Sequence, residues 1–526
     1  MLMSLTAGAA KAAAVSTWVD RLTVPAWVRG IPVLFVFGLG FAVRMVGLTQ
    51  PPLDFHATRQ LHSAEIARGM YYQDLPSAPA WQRDFAVTGQ LRRGVIEPQV
   101  MESLAAWSFG LLGGEELWVP RVLSSAFWVV GALFVYLTIR RWAGRVGGVA
   151  GAGFMLFAWY PVQASRAFMP DPLMVCLMAG TLWAGVGWAS ARRSDAHAWG
   201  WAVATGLLAG SAVFVKPMAI YMLGLFLALL VLGALGWRVV RSAQVWLMAC
   251  LALAPLTAYV VSAHLAGHDP LGLGSRFFPE LWGQPEFYLD WATMVDTVLG
   301  SGWLAAGVIG LLVIPLRPAL LGVVGWWLGY VALGFTVSHH MSTHDYYSLP
   351  LTPVVALGIG ALMGVAWRAL PRSGRVLRAL TALTVMVAIL VAAAGAAVRL
   401  SADNGYGPQV TRWRLLGTLF APTDQIVGLN HYYGHLFTYY GWRSYTWWPT
   451  TFDRALMPET NDFPSYWVTR TAGMDYFLLT DFGQWDAQPD VREHVLQHCT
   501  VVSRTNWYVI FDLRDSAECQ HPTERP

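Results

Sequence analysis

Six ionisable side chains, Asp54, His56, Arg59, His62, Glu65 and Arg68, crowd into the stretch PPLDFHATRQLHSAEIARG (51–69), directly behind an apolar run. A carboxylate within reach of a hydroxyl can serve as a general base. A fixed cation can stabilise an anion that develops as a bond breaks. The same residue types recur at three other places. SRAFMPDPLMV (165–175) holds Arg166 and Asp171, and VFVKPMAIY (213–221) holds Lys216. SHHMSTHDYYSLPLTP (338–353) holds His339, His340, His344, Asp345, Tyr346 and Tyr347. Glu97, in GVIEPQV, is a further acid close to the first group.

The elements that must position these residues are membrane helices. Of the 526 residues, 56% are hydrophobic and 13% charged, against roughly 25% charged in soluble domains. The 27 Trp and 19 Tyr suit aromatic belts at lipid–water interfaces. A net charge of +4, thinly spread, gives no footprint for nucleic acid. Windows of about 20 apolar residues give about eleven spans. They lie near 31–48, 121–139, 146–163, 172–190, 199–215, 218–236, 243–264, 296–314, 319–337, 347–367 and 377–399. The first apolar run lacks a convincing cleavage site and is expected to stay as an anchor.

Alternate short loops are rich in arginine: RRWAGR (140–145), ARRS (191–194), WRVVR (237–241), PLRP (315–318) and RALPRSGRVLR (368–378). With Lys11, Arg21 and Arg29 they mark one face as cytoplasmic. The segments 49–120, 264–295, 338–346 and everything beyond about 400 then lie on the outer face. Every candidate residue above falls on that side, and the mid-span positions are nearly free of acids. The expected architecture is a polytopic α-helical membrane domain (1–399) whose first outer loop is 49–120, followed by a small extracytoplasmic α/β domain (400–526). In the latter, DQIVGLN, LFTYYGWRSYTW, DYFLLTD and CTVVSRTNWYVIFDL have strand-like patterns.

Each candidate also has a plainer reading. Asp54 and Asp171 suit helix N-caps, and Pro172 suits the first helical position. His56, Arg59, His62, Glu65 and Arg68 recur every three residues, so they form a polar stripe on an amphipathic helix, which could be merely a solvated face. Arg44, inside the first span, needs a polar partner, and Asp54 is one candidate. Lys216 is one of two lysines in the chain. It could snorkel to headgroups, but a charge between two spans is costly, and a compact ammonium suits phosphate.

His340 and His344 have a spacing that fits a metal, without a third ligand, so no metal or other cofactor is called for. A polar, aromatic binding rim that includes His344 and Tyr346 fits better. Cys499 and Cys519 would share an oxidising compartment and are candidates for a disulfide. Tyr445, Trp447 and Trp448 could stack on sugar rings or fill a core.

RMVGLTQPPLDF (44–55), RQLHSAEIARG (59–69), GEELWVPRVLSSAF (114–127), SRAFMPDPLMV, FVKPMA and HDYYSLPLTP come in an order and on sides that resemble the GT-C glycosyltransferases. The resemblance is to the branch that contains the protein O-mannosyltransferases and the lipid A aminoarabinose transferase. It covers about 1–370, and Asp54-Phe55 stands where members commonly show Asp-Glu. It implies an inner-membrane enzyme that moves a sugar from a polyprenyl-phosphate donor to a glycan, lipid or protein acceptor on the outer face. It also implies Asp54 as general base, Asp171 as a catalytic positioning group, and Lys216, Arg59 and Arg166 at the donor phosphate. His56, Glu97, His344 and Tyr346 are then expected to bind substrate. One base and no nucleophile implies inversion at the anomeric carbon. The rival reading is a transporter or flippase of lipid-linked saccharides, which would need a polar path through the membrane.

Overall fold

The computed structural model describes residues 30–94, 96–191, 197–267, 276–371 and 374–520. Lys11, Arg21, Arg29, 192–194 and 268–275 lie outside these residues. The chain is a multi-pass membrane protein, predominantly helical, with a small sheet domain near its C-terminus. Among the described residues, eight helices are long and apolar enough to cross a membrane. A ninth span arises if Pro285–Leu299 and Ser301–Leu311, bent by 86°, are taken together.

The difference from eleven has a local cause. The segments 121–139 and 146–163 meet in one element, Trp118–Phe157, which reverses at Gly144 (φ 72°, ψ −172°). Trp128 Nε1 donates to the Met155 carbonyl at 2.8 Å, although the two are 27 residues apart. A straight helix would separate them by ~40 Å, so the element is an antiparallel hairpin. A side chain at Gly144 would oppose the left-handed φ that makes the reversal. The other shortfall is the first helix, Ile31–Arg44, which has 14 residues.

Small residues let these helices approach closely, as is usual where lipid removes the hydrophobic drive between them. A Cβ at Gly358 would lie 1.8 Å from the Gly307 carbonyl, so Ser301–Leu311 and Thr352–Ala369 touch backbone to backbone. Arg368 donates to the Trp142 carbonyl at 2.7 Å, which puts two arginine-bearing turns at the same end of the bundle.

The first loop folds into three helices, Ala57–Gln73, Ala80–Arg92 and Val100–Leu112. The first is largely buried, with Gln60, Ser63, Glu65 and Arg68 as well as Leu61, Ala64 and Ala67 out of solvent. After the long helix Arg375–Ser401 and a short one, Tyr406–Gly417, come the five strands of the C-terminal sheet. They are β1 (Ile426–Leu429), β2 (Thr446–Trp447), β3 (Tyr476–Leu479), β4 (Thr500–Arg504) and β5 (Val509–Asp512). Their order is β2-β1-β3-β5-β4, with β1 parallel to both neighbours and β5 antiparallel to β3 and β4.

Side chains alternate along the strands, so the sheet faces two ways. Ile426, Leu478 and Ile510 join the core that runs on into the bundle. Val427, Phe477, Leu479 and Phe511 pack with Trp448, Trp467 and Trp485 in a separate cluster. Cys499 and Cys519 are disulfide-bonded, their Cα atoms 5.1 Å apart, at the edge of this cluster.

One strand expectation fails. The first half of LFTYYGWRSYTW (436–447) lies in the helix His435–Gly441, and only Thr446–Trp447 is a strand. All seven residues of that helix are buried, against the core and the first loop helix. A continuously apolar run does not distinguish a buried helix from a buried strand.

Candidate active site

Lys216 leaves the helical path because Pro217 follows it, and a residue before proline is driven to extended geometry. The helix Ala198–Val215 ends there, with Lys216 at φ −148°, ψ 107°. Its ammonium meets Asp171 at 2.8 Å from Nζ to Oδ1, at the start of the helix Asp171–Ala191. Both residues are under 5% exposed. Such a pair is tolerated only because each charge has the other; removal of one partner leaves a buried charge uncompensated. The rings of Tyr346 and Tyr347 also face Nζ, with centroids at 5.0 and 5.1 Å. Asp171 Oδ2 is buried without a hydrogen-bond partner.

Arg59 stands in the first turn of Ala57–Gln73 and pairs with Glu97, and its buried Nε has no partner. Burial would lower the Arg59 pKa, but Glu97, together with Tyr346 and Asp171, outweighs it and raises the value. Burial likewise opposes ionisation of Glu97, which Arg59 and then Lys216 more than offset, lowering its pKa. A cavity of about 170 Å³ opens beside the two groups, and Glu97, Lys216, Ile220, Leu256, Leu333 and Val337 are among its lining. Arg276 reaches the same cavity.

His56 precedes this helix in a left-handed conformation, φ 39°, ψ 59°. A residue with a side chain takes that conformation at a cost of roughly 1–3 kcal/mol, and such residues concentrate at working sites. The surroundings that hold it are Asp345, whose Oδ1 lies 2.7 Å from His56 Nε2, and the Tyr346 ring at 4.9 Å. His344 stacks on His340 at 5.2 Å and meets Tyr346 edge-on at 5.6 Å. Burial, reinforced by neighbouring cationic or imidazole groups, pushes His344 down to about 4 and His340 to about 3, so both rings are neutral near pH 7. Among the described residues no group of three or more His, Cys, Asp or Glu could hold a metal.

Asp54 does not cap the helix and does not meet Arg44. Its Oδ2 accepts from Arg121 at 2.8 Å, and Arg121 also donates to the Leu48 and Gln50 carbonyls. Arg121 is 1% exposed, whereas the Asp54 side chain keeps 14%. Arg44 instead donates to Ser165 Oγ and to the Gly40 and Leu156 carbonyls. Arg166 donates to the Val46 and Gly47 carbonyls, on the same turn that leads to Asp54.

The structure thus gathers Lys216, Asp171, Arg59, Glu97, His56, His344 and Tyr346 at one end of the bundle. It sets Asp54 beside them, two residues from His56, and leaves Arg166 behind the turn. The polar stripe is not a solvated face. Glu65 bonds His435 at 3.0 Å and also pairs with Arg93. Arg68 pairs with Glu115 at 3.0 Å and lies 3.7 Å from the Tyr439 ring centroid. The stripe therefore ties the bundle to the C-terminal domain. Arg121, His435 and Arg276 are not among the site residues the sequence points to, and Asp345, named there, is given its partner His56 only by the fold. A signal for Arg121 existed, since an arginine opening an apolar span needs a partner.

Residues 97–261 match the family model described as dolichyl-phosphate-mannose-protein mannosyltransferase. The structure is similar to that of ArnT from Cupriavidus metallidurans bound to undecaprenyl phosphate, with TM-score 0.59 and 17% identity over 94% of this chain and 100% of that one. It is also similar to the Archaeoglobus fulgidus oligosaccharyltransferase in its apo form, with TM-score 0.55 and 12% identity over 90% and 72%. A further match is the archaeal oligosaccharyltransferase AglB from the same organism, in complex with an inhibitory peptide and a dolichol-phosphate, with TM-score 0.52 and 11% identity over 86% and 70%. No curated protein sequence matches. The chain is thus similar in fold to ArnT and to the archaeal oligosaccharyltransferase, and its residues 97–261 fit the mannosyltransferase family model.

Proposed function

We propose that the protein transfers a sugar from a polyprenyl-phosphate carrier to an acceptor hydroxyl at the outer face of the plasma membrane, with inversion. The observation that carries this reading is Lys216, an ammonium buried at the head of an apolar cavity between helices. An anionic headgroup with a long apolar tail suits such a place, because the cation neutralises the phosphate while the tail stays in hydrocarbon. The neighbour that was crystallised with undecaprenyl phosphate has the same fold.

In this scheme Asp54, held by Arg121 through one oxygen, takes the proton of the acceptor hydroxyl on the other. The freed oxygen attacks the anomeric carbon, the bond from that carbon to the phosphate oxygen breaks, and polyprenyl phosphate leaves with the electron pair. Lys216 and Arg59 stabilise the growing charge on the leaving phosphate. Asp171 and Glu97 hold those two cations in place, and Arg166 braces the turn that carries Asp54. His56, His344 and Tyr346 form the wall against which the sugar lies. The arginine-bearing turns face the cytoplasm, and the C-terminal domain stands outside.

The test is lipid mass spectrometry on cells that lack the protein, complemented with the wild type or with Asp54→Asn. Accumulation of one polyprenyl-phosphate sugar in the null and in Asp54→Asn supports the reading, and its mass identifies the sugar. A wild-type lipid profile with Asp54→Asn removes Asp54 as base. A transporter would leave donor and acceptor chemically unchanged.

A further inference from the structure

A cleft of about 530 Å³ lies away from this cluster, between the helix Ala80–Arg92 and the β2 edge of the C-terminal sheet. Its walls are aromatic. Trp81 is 44% exposed, and its ring lies 5.9 Å from that of Trp442, which also meets Phe85 at 5.6 Å. Trp447 faces the same space with the Arg470 guanidinium 5.2 Å from its ring. Hydroxyl and guanidinium groups of Thr88, Ser444, Thr446, Arg92 and Arg470 also line it, together with the Asp84 carboxylate and the Gln425 amide. One group there is unsatisfied. Thr438 lines the cleft, is 6% exposed, and its Oγ1 is buried without a partner. Trp442 is held with φ 53°, a conformation that an aromatic residue keeps only where its surroundings impose it. The Arg68 guanidinium, 4.0 Å from its ring, is part of what imposes it.

From this lining we infer that the cleft binds an acidic saccharide, the non-reacting part of the acceptor; that last assignment rests on the function proposed above. A sugar ring offers a flat C–H face to an aromatic plane and a rim of hydroxyls to Thr, Ser and Arg. An apolar chain would leave the buried Thr438 hydroxyl unmatched. Arg93 is already engaged by Glu65, and the two remaining arginines of the lining, Arg92 and Arg470, stand against one acid, Asp84, so a uronate or phosphate on the sugar is favoured over a neutral one. The volume falls in the range of ligand clefts, about 300–1,000 Å³. Trp442 also lines a second cleft, of about 490 Å³, that reaches Thr49 to Pro52. An acceptor seated against Trp81 can thus extend past Trp442 toward Asp54. Arg93, which lines the first cleft, pairs with Glu65 on the helix that carries Arg59.

The experiment is titration calorimetry on the full-length protein in nanodiscs, without donor lipid, against trigalacturonate and against maltotriose. Expected is binding of the acid at least fivefold tighter than the neutral sugar, weakened about three- to tenfold in Trp81→Ala, a loss typical of one aromatic face. Arg470→Gln should erase much of the preference for acid. No binding of either sugar, equal binding of the two, or binding unaltered in Trp81→Ala and Arg470→Gln overturns the inference. Because no turnover is measured, saccharide binding with no transferase activity would instead count against the proposed reaction alone.

Discussion

Lys216 Nζ stands 2.8 Å from Asp171 Oδ1, in a pocket of tyrosine rings at the end of a membrane bundle, where neither residue is more than 5% exposed. The pair is a salt bridge whose cation also faces an apolar cavity. That dual exposure makes it available to a third charge, and its removal has two separable consequences.

The first is stability. Lys216→Ala leaves Asp171 charged and alone, and a buried pair broken on one side typically costs about 3–5 kcal/mol. Lys216→Met combined with Asp171→Leu should recover most of the thermal stability in detergent without restoring transfer. Equal melting temperatures for the single and double variants would show that the pair does not hold the fold.

Asp54→Asn should lower turnover by about 10²–10⁴-fold, the usual contribution of a positioned base, with the melting temperature little changed. Release of polyprenyl phosphate from the donor reports this directly. Product of the opposite anomeric configuration to the donor, read by NMR, would support a single displacement, and retention would require a nucleophile.

Histidine and glutamate outside the membrane spans give opposite slopes of stability against pH. His344 is held down at about 4, mainly by burial, so the unfolded chain binds its proton first as pH falls from 6.5. Its contribution is therefore intact above 6.5 and is lost between 6.5 and 4. Glu102, on the helix Val100–Leu112 and bonded by Ser63 Oγ at 2.6 Å, is raised to about 7 by burial. Its contribution is intact below 4.5 and lost as pH rises to 7. Urea midpoints between pH 4 and 7 should rise with pH less steeply in His344→Gln than in wild type, and more steeply in Glu102→Gln.

The disulfide between Cys499 and Cys519 spans 20 residues and closes the edge of the tryptophan cluster. Cys499→Ser with Cys519→Ser should destabilise the C-terminal domain by about 3 kcal/mol, the scale for a loop of that size. Limited proteolysis would detect it as faster cleavage beyond residue 400. Unchanged protection would mean that the two apolar clusters hold the domain by themselves.

Period and hydropathy alone determined where the chain becomes helical, because apolar runs of membrane length have few other ways to satisfy their backbone. Proline placed Lys216 and Asp171 at helix ends by local sterics, and turn residues bounded three of the four expected strand regions. Pairing was decided only in three dimensions. Asp54 to Arg121, His56 to Asp345 and Glu65 to His435 join residues 67, 289 and 370 positions apart, distances over which no periodicity carries information. The helix His435–Gly441 was likewise set by burial against the core and the loop helix, since its run of apolar residues suits a buried strand equally well. The aromatic cleft is a product of that docking. Trp81 and Trp447, which share it, belong to parts of the chain that the sequence places in different domains.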